Sequence, residues 1–251
     1  MEFRKLHNTL DLFLNKSLHK LNTFLSIKTL KALSRLSIFE IGKTLSEVNE
    51  TILKEPHMVQ FYNRYATYNG SSPYSTPGIM TVIQHLESHY GTYIPEGGMH
   101  SITKSLYELA KRKGVTFNFK KLVSEIILEK NKAAGLIVNG KKFSFDTVIS
   151  NMDIYPTYEK LLPKIRLPRN VKSQERSSSA VIFYWGISKI FKNLDLHNVF
   201  FSKDYQSEFD SIFIQKNIYD DPTIYVNITC NEITTDSPEN CENWFVMVNT
   251  C

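Results

Sequence analysis

The sequence predicts an α+β fold: a helical stretch first, then a mixed or antiparallel sheet covered by helices. Three observations carry this reading. Apolar residues recur at helical spacing from Met1 to about Tyr90, as in Leu10, Phe13, Leu14, Leu18, Leu21 and Leu25, then Ile41, Leu45, Val48 and Ile52. Short apolar runs divided by turn residues follow Gly91, with the hairpin dipeptide Asn139-Gly140 between two of them. Beyond Asn151 the runs are rich in Val, Ile, Phe and Tyr, which suits strands buried on at least one face.

In chain order, Ser26, Ser37, Pro56 and the cluster Asn69-Gly70-Ser71-Ser72-Pro73 divide the first part into several helices. Thr76-Pro77 reads as an N-cap with proline at the first helical position of a helix over residues 77–90, closed by Gly91. A short strand is expected at 92–94, a turn at Pro95-Glu96-Gly97-Gly98, and a helix over 99–113 through Ile102, Leu106, Leu109 and Ala110, closed by Gly114. Residues 115–119, 122–128, 134–138 and 142–145 read as a β-meander, and 147–150 as a buried-type strand. A helix around 155–162, a proline-marked loop over 163–169 and a long strand over 177–187 come next. Strands at 198–202, 223–229 and 243–250 and a helix near 205–215 complete the chain.

The 251 residues, 42% hydrophobic and 22% charged, exclude disorder and collagen-like repeats and suffice for one large domain or two small ones. Cys230, Cys241 and Cys251 have neither the pairing of a disulfide framework nor the spacing of a zinc motif, so a reducing cytosol is expected and no metal. The net charge of +5 is spread out and accompanies no nucleic-acid motif, so no nucleic-acid partner is expected. The longest apolar run, residues 180–187, falls far short of the roughly twenty residues of a bilayer span. The opening Met1-Glu2-Phe3-Arg4-Lys5 shows no secretory pattern. The final run Trp244-Phe245-Val246-Met247-Val248 packs like a core strand, as a C-terminal strand tied into a sheet or as the edge of a truncated chain would.

Three motifs have chemical meaning. Gly97 and Gly98 at a helix start let backbone approach a flat or charged ligand near free N–H groups, or simply form a tight turn. Ser150 and Asn151 close a strand where a nucleotide crevice would lie, or form an ordinary turn. Four tyrosines between Tyr62 and Tyr74 suit the wall of a pocket for a long hydrophobic molecule, or fill a core at a helix end. No Gly-x-Ser-x-Gly elbow, His-Glu-x-x-His helix or Walker loop occurs, so hydrolase and nucleoside-triphosphatase readings have no support. His85 and His89 share a helix face without a third ligand, and Asp220-Asp221 beside Pro222 reads as loop.

Taken together, Arg64-Tyr65-Ala66-Thr67-Tyr68-Asn69-Gly70-Ser71-Ser72-Pro73-Tyr74, Pro95-Glu96-Gly97-Gly98-Met99, Val148-Ile149-Ser150-Asn151-Met152-Asp153 and Ser177-Ser178-Ser179-Ala180 with Phe183-Tyr184-Trp185-Gly186 resemble the bacterial-type phytoene desaturases. These are flavin-dependent carotenoid desaturases, related more distantly to amine and protoporphyrinogen oxidases. The resemblance covers nearly the whole chain and implies a central fragment, because the family's opening Gly-x-Gly-x-x-Gly turn and its closing glycine-rich segment are both missing. It implies a helical part of a substrate domain at 1–91, an incomplete, Rossmann-like FAD-binding segment at 92–153 and the sheet part of the substrate domain at 154–251.

By the same resemblance, Gly97, Gly98, Val123, Ser150 and Asn151 fall at the FAD, and Arg64, Tyr65, Tyr68, Asn69 and Tyr74 at the tunnel for a long polyene substrate. The implied reaction is FAD-dependent desaturation of a carotenoid precursor such as phytoene, with no catalytic base assigned. A related flavin oxidase of amines or porphyrinogens is the nearest alternative. A non-catalytic binding or structural fragment is another, since without the pyrophosphate loop the 251-residue chain is expected to be colourless and inactive. A membrane-dissolved substrate implies a cytoplasmic protein peripheral on the inner face of the cell membrane, and the helix over 10–33 with Lys16, Lys20, Lys28 and Lys31 either lies at that interface or is an ordinary surface helix.

Overall fold

The structure, a computed structural model, describes Lys20, Glu40 and residues 42–251. Lys20 apart, the helix expected over 10–33 and the breaks at Ser26 and Ser37 lie outside the described residues. The chain divides into two compact units, a larger one of Met1–Ile94 with Ser177–Cys251 and a smaller one of Pro95–Arg176.

In the larger unit, α1 (Leu45–Ile52) starts at a reciprocal cap. Thr44 Oγ1 accepts from Glu47 N at 3.2 Å, and Glu47 Oε2 accepts from Thr44 N at 2.7 Å. Helix α2 (Pro56–Asn63) begins on Pro56 with Glu55 accepting from Met58 N at 2.9 Å. A buried amide chain joins the two: Asn49 Nδ2 donates to Asn63 Oδ1 at 2.8 Å, and Asn63 Nδ2 donates to Ser46 Oγ at 2.9 Å.

The chain then tightens into a 3-10 turn, Arg64–Asn69, ended by Gly70 at φ +60°. A Cβ on Gly70 would meet Ser177 Cβ at 2.6 Å, and Ser178 N donates to Gly70 O at 2.8 Å. Glycine is thus what lets the tyrosine segment touch the serine segment more than a hundred residues away. A second 3-10 turn, Gly78–Met80, leads into α3 (Thr81–Tyr90), which stops at Gly91 with φ +79°. The cap expected from Thr76 is not made. Its hydroxyl donates to Ser72 O at 2.7 Å, because Leu45 N already holds the Thr76 carbonyl at 2.7 Å and Pro77 bridges Thr44 in extended backbone.

In the smaller unit, α4 (His100–Arg112) follows the Gly97-Gly98 turn, and none of its residues is buried. Strands β1 (Val123–Glu129), β2 (Lys132–Val138) and β3 (Lys141–Ser144) form an antiparallel meander in the order β1-β2-β3. Both connections are two-residue turns with positive φ throughout, Lys130-Asn131 and the expected Asn139-Gly140, whose twist matches that of the strands. The expected strands at 92–94, 115–119 and 147–150 do not form. A strand needs a neighbour for its hydrogen bonds. Phe117 and Phe119 instead gather on Tyr107 of α4, with centroids 4.5 and 6.1 Å away, while Ile149 stands 90% exposed. A helical turn, α5 (Ile154–Pro156), opens on Asp153 and continues as a π-turn to Leu161, and α6 (Arg169–Ser173) starts at the last residue of the stretch read as loop, 163–169.

The chain re-enters the larger unit through β4 (Ser179–Ile187) and β5 (His197–Phe200). Helix α7 (Tyr205–Asp210) runs on as a π-turn to Gln215, followed by β6 (Ile224–Asn227) and β7 (Glu242–Thr250). These strands form one antiparallel sheet in the order β4-β7-β6-β5, so the last strand in sequence is interior to the sheet. Val226, Ile228 and Val246 centre its core, with Leu194, Ile224 and Trp244 packed against them. The observed class is the α+β fold expected, with both sheets antiparallel.

Candidate functional site

A groove of about 810 Å³ opens in the larger unit. One wall comes from the 3-10 turn and α3, the other from Ser177 to Ala180 and the faces of β5, β6 and β7. A 3-10 turn has three residues per turn, so side chains three apart line up. Tyr65 and Tyr68 accordingly sit together, with ring centroids 5.4 Å apart, and Tyr62 at the end of α2 extends the row, 6.0 Å from Tyr65. Tyr65 and Tyr68 line the groove.

Both phenols donate to one carboxylate. Tyr65 Oη lies 2.6 Å from Glu87 Oε2 and Tyr68 Oη 2.9 Å from Glu87 Oε1. Burial first, then the bond to Glu87, holds the Tyr65 hydroxyl well above the usual phenol range. The same causes push Tyr68 up to about 12, so both rings stay neutral donors at ordinary pH.

Arg64 points its guanidinium over the Tyr225 ring, 5.6 Å from the centroid. Its Nη1 and the hydroxyl of Tyr205 are buried without hydrogen-bond partners. Burial raises the Tyr205 and Tyr225 hydroxyls, and the Arg64 charge opposes both shifts. Tyr225 Oη lies 2.7 Å from His197 Nδ1, and Asn227 Nδ2 lies 3.3 Å from the same nitrogen. Glu208, 1% exposed, accepts from Thr223 N at 2.9 Å and from Thr223 Oγ1 at 2.6 Å. Burial still raises its pKa, against those bonds and the Arg64 charge.

Of the residues expected at the polyene, Arg64, Tyr65, Tyr68 and Asn69 line this one groove. Tyr74 stands apart. It lines a separate hollow of about 360 Å³ with Glu50, Gln60 and Tyr205, and meets Phe209 edge-on at 6.3 Å. Glu87, His197 and Tyr225 belong to the groove without having been singled out in the sequence. The two hydrogen bonds of Glu87 span 22 and 19 residues, so no local spacing announces them.

The residues expected at the FAD all lie in the smaller unit, in three local settings. Gly97 and Gly98 have φ +78° and +76°, with nothing within 4 Å of a Cβ built on Gly98, and α4 begins without a side-chain cap. That leaves backbone approachable at a helix N-terminus. Val123 opens β1 opposite Val138. Ser150 Oγ lies 3.2 Å from Thr157 Oγ1 and accepts from Met152 N at 3.3 Å, and Asn151 is exposed. An apolar hollow of about 500 Å³ between α4 and the segment that follows it is lined by Leu106, Tyr107, Phe117 and Phe119. No described helix is long and apolar enough to cross a membrane.

The chain is 51% identical over 246 residues to the 1-hydroxycarotenoid 3,4-desaturase of Flavobacterium sp. (strain P99-3), a match covering 98% of this chain and 50% of that protein. It is 34% identical over 185 residues to the phytoene desaturase of Cercospora nicotianae, covering 72% of this chain and 30% of that one. The crystal structure of an oxidoreductase from Methanosarcina mazei shares the fold, with a TM-score of 0.59 and 17% identity over 94% of this chain and 54% of that one. The chain thus spans about half the length, or less, of the relatives it matches. Residues 4–220 match the family described as flavin containing amine oxidoreductase, and the chain belongs to that family, with carotenoid desaturases among its relatives.

Proposed function

We propose that this chain is part of an FAD-dependent oxidoreductase that desaturates a carotenoid. The observation that carries the reading is the groove walled in part by Tyr65 and Tyr68, together with the 51% identity to a carotenoid desaturase. Aromatic faces bury a polyene by apolar contact while their hydroxyls stay bonded to Glu87, so the wall is rigid and its polar tips are satisfied. Holding a long chain in one register is the main demand of such a reaction, which removes two hydrogens from a C–C single bond between double bonds.

The larger unit, residues 1–94 and 177–251, supplies this substrate site, and the smaller one, 95–176, is assigned to the cofactor. The positive φ of Gly97 and Gly98 and the open space at Gly98 fit a cofactor lying against backbone at the start of α4, with Val123, Ser150 and Asn151 as further contacts. FAD, when bound, would supply the acceptor for one hydrogen as a hydride with its electron pair, the other hydrogen leaving as a proton. The substrate class is carotenoid, and the hydroxylated carotenoid in the first relative's name is the form to test first. Such a lipid implies peripheral contact with the cytoplasmic face of a membrane.

The test is conversion by the whole protein, purified and supplied with FAD, of hydroxylated and unhydroxylated carotenoids in detergent. A product lighter by two hydrogens and absorbing at longer wavelength is expected. Unchanged carotenoid throughout, with an amine or porphyrinogen oxidised instead, would transfer the protein to the oxidase branch of the family.

A further inference from the structure

Glu87 is the one carboxylate among the described residues that line the groove. A carboxylate offers roughly four acceptor positions, and the phenols of Tyr65 and Tyr68 occupy two of them. Each phenol has a single proton and gives it to Glu87, so neither has one left for a ligand. The charges of Glu87 and Arg64 both act on the Tyr68 hydroxyl, in opposite directions. Beside the tyrosine rings Glu87 thus offers unused anionic acceptor capacity, half-buried, where a ligand proton would be attracted more strongly than to the neutral polar groups of Asn69, Ser177, His197 and Asn249 that also line the groove. A plain hydrocarbon polyene makes no use of such a spot, and parking one against it leaves a carboxylate desolvated for nothing in return.

We propose that Glu87 reads a hydroxyl on the polyene substrate, accepting its proton in a charge-assisted hydrogen bond while the conjugated chain lies along the tyrosine row. This rests on the carotenoid reading and adds to it the residue that discriminates between carotenoids. Tyr65 and Tyr68 act as positioning residues, because their bonds fix which way the carboxylate faces.

The experiment is equilibrium binding to the whole protein in detergent micelles, read by quenching of its tryptophan fluorescence, with Trp185 and Trp244 as reporters in the larger unit. Three ligands are compared: a polyene with a hydroxyl near one end, the same polyene without it, and its methyl ether, which keeps the oxygen and loses the proton. The hydroxylated form is expected to bind about tenfold tighter than either control. Glu87→Leu is expected to erase that ratio and Glu87→Gln to shrink it, while Tyr68→Phe keeps most of it. A purely structural Glu87 would instead weaken all three ligands alike and leave the ratio unchanged, which overturns the proposal. An ether that binds as well as the alcohol overturns it without any variant, so a misfolded substitution does not decide the matter. Equal binding of all three ligands removes the proposal and leaves the carotenoid reading standing. No binding of any of them removes both.

Discussion

The larger unit buries Leu45, Val48, Phe209, Ile212, Val226, Ile228 and Val246, whereas in the smaller unit Ile126 is the one apolar side chain to be buried. Composition does not explain this. The smaller unit has its own Ile, Leu and Phe, but Leu106, Phe119 and Leu122 remain 60, 68 and 73% exposed. What differs is the supply of partners. In the larger unit β7 has a strand on each side, and residues from β6, β7 and the segments after β6 and before β5 meet in one core. In the smaller unit a three-stranded meander and α4 leave most of their apolar faces open. An amphipathic pattern thus forms an element without guaranteeing that it is covered.

The sharpest test of that contrast is a matched pair of truncations. Ile228→Ala, at a fully buried position, is expected to cost about 4 kcal/mol, and Ile126→Ala about 2 kcal/mol, because the open surroundings of Ile126 collapse into the space left behind. Urea unfolding followed by tryptophan fluorescence reads the first, since both tryptophans lie in the larger unit. Amide exchange in β1 to β3 reads the second. Equal losses would mean that the smaller unit is better packed than its exposures show.

A smaller effect is expected at the β2–β3 turn. Asn139 holds φ +47° and accepts from Leu122 N at 3.2 Å, so Asn139→Ala should cost roughly 1–2 kcal/mol and speed exchange in the meander while leaving the four-stranded sheet unchanged. Loss of protection in both sheets would show that the two units do not unfold separately.

The mildest effect is a slope with pH in the larger unit. Burial raises Glu208, so between the unfolded carboxyl value, about 4.3, and the higher native value the folded state holds a proton that the unfolded chain has released. Stability therefore falls as pH rises through that window. Glu208→Gln is expected to flatten the decline in denaturation midpoints measured across it. A decline of unchanged steepness would place its source elsewhere.

Much of the secondary structure was legible from the chain itself. The long helix over 99–113, the Asn139-Gly140 hairpin and the strands near 177–187, 223–229 and 243–250 depend on local spacing and turn chemistry, and each has a counterpart in the structure. The expectations that failed depended on distant partners. Residues 147–150 have the composition of a buried strand, yet no strand pairs with them among the described residues, and Thr76 has the chemistry of a cap but spends its hydroxyl on Ser72.

The candidate site divides in the same way. The motif from Arg64 to Tyr74 was recognisable as a unit, and its Tyr65–Tyr68 pair follows from a three-residue period. That Tyr74 leaves the row for Phe209, and that Glu87 joins it, comes from contacts the motif does not contain.

By itself, then, the sequence determined the α+β class, most of the elements and the family resemblance, because periodicity, caps and turns act within a few residues. The tertiary structure alone decided which faces were covered, that β7 sits inside its sheet, and that Glu87, His197 and Tyr225 meet Arg64, Tyr65 and Tyr68 around one groove. The physical reason is distance along the chain: hydrogen bonds and ring contacts that join residues from separate elements depend on packing that no local pattern encodes.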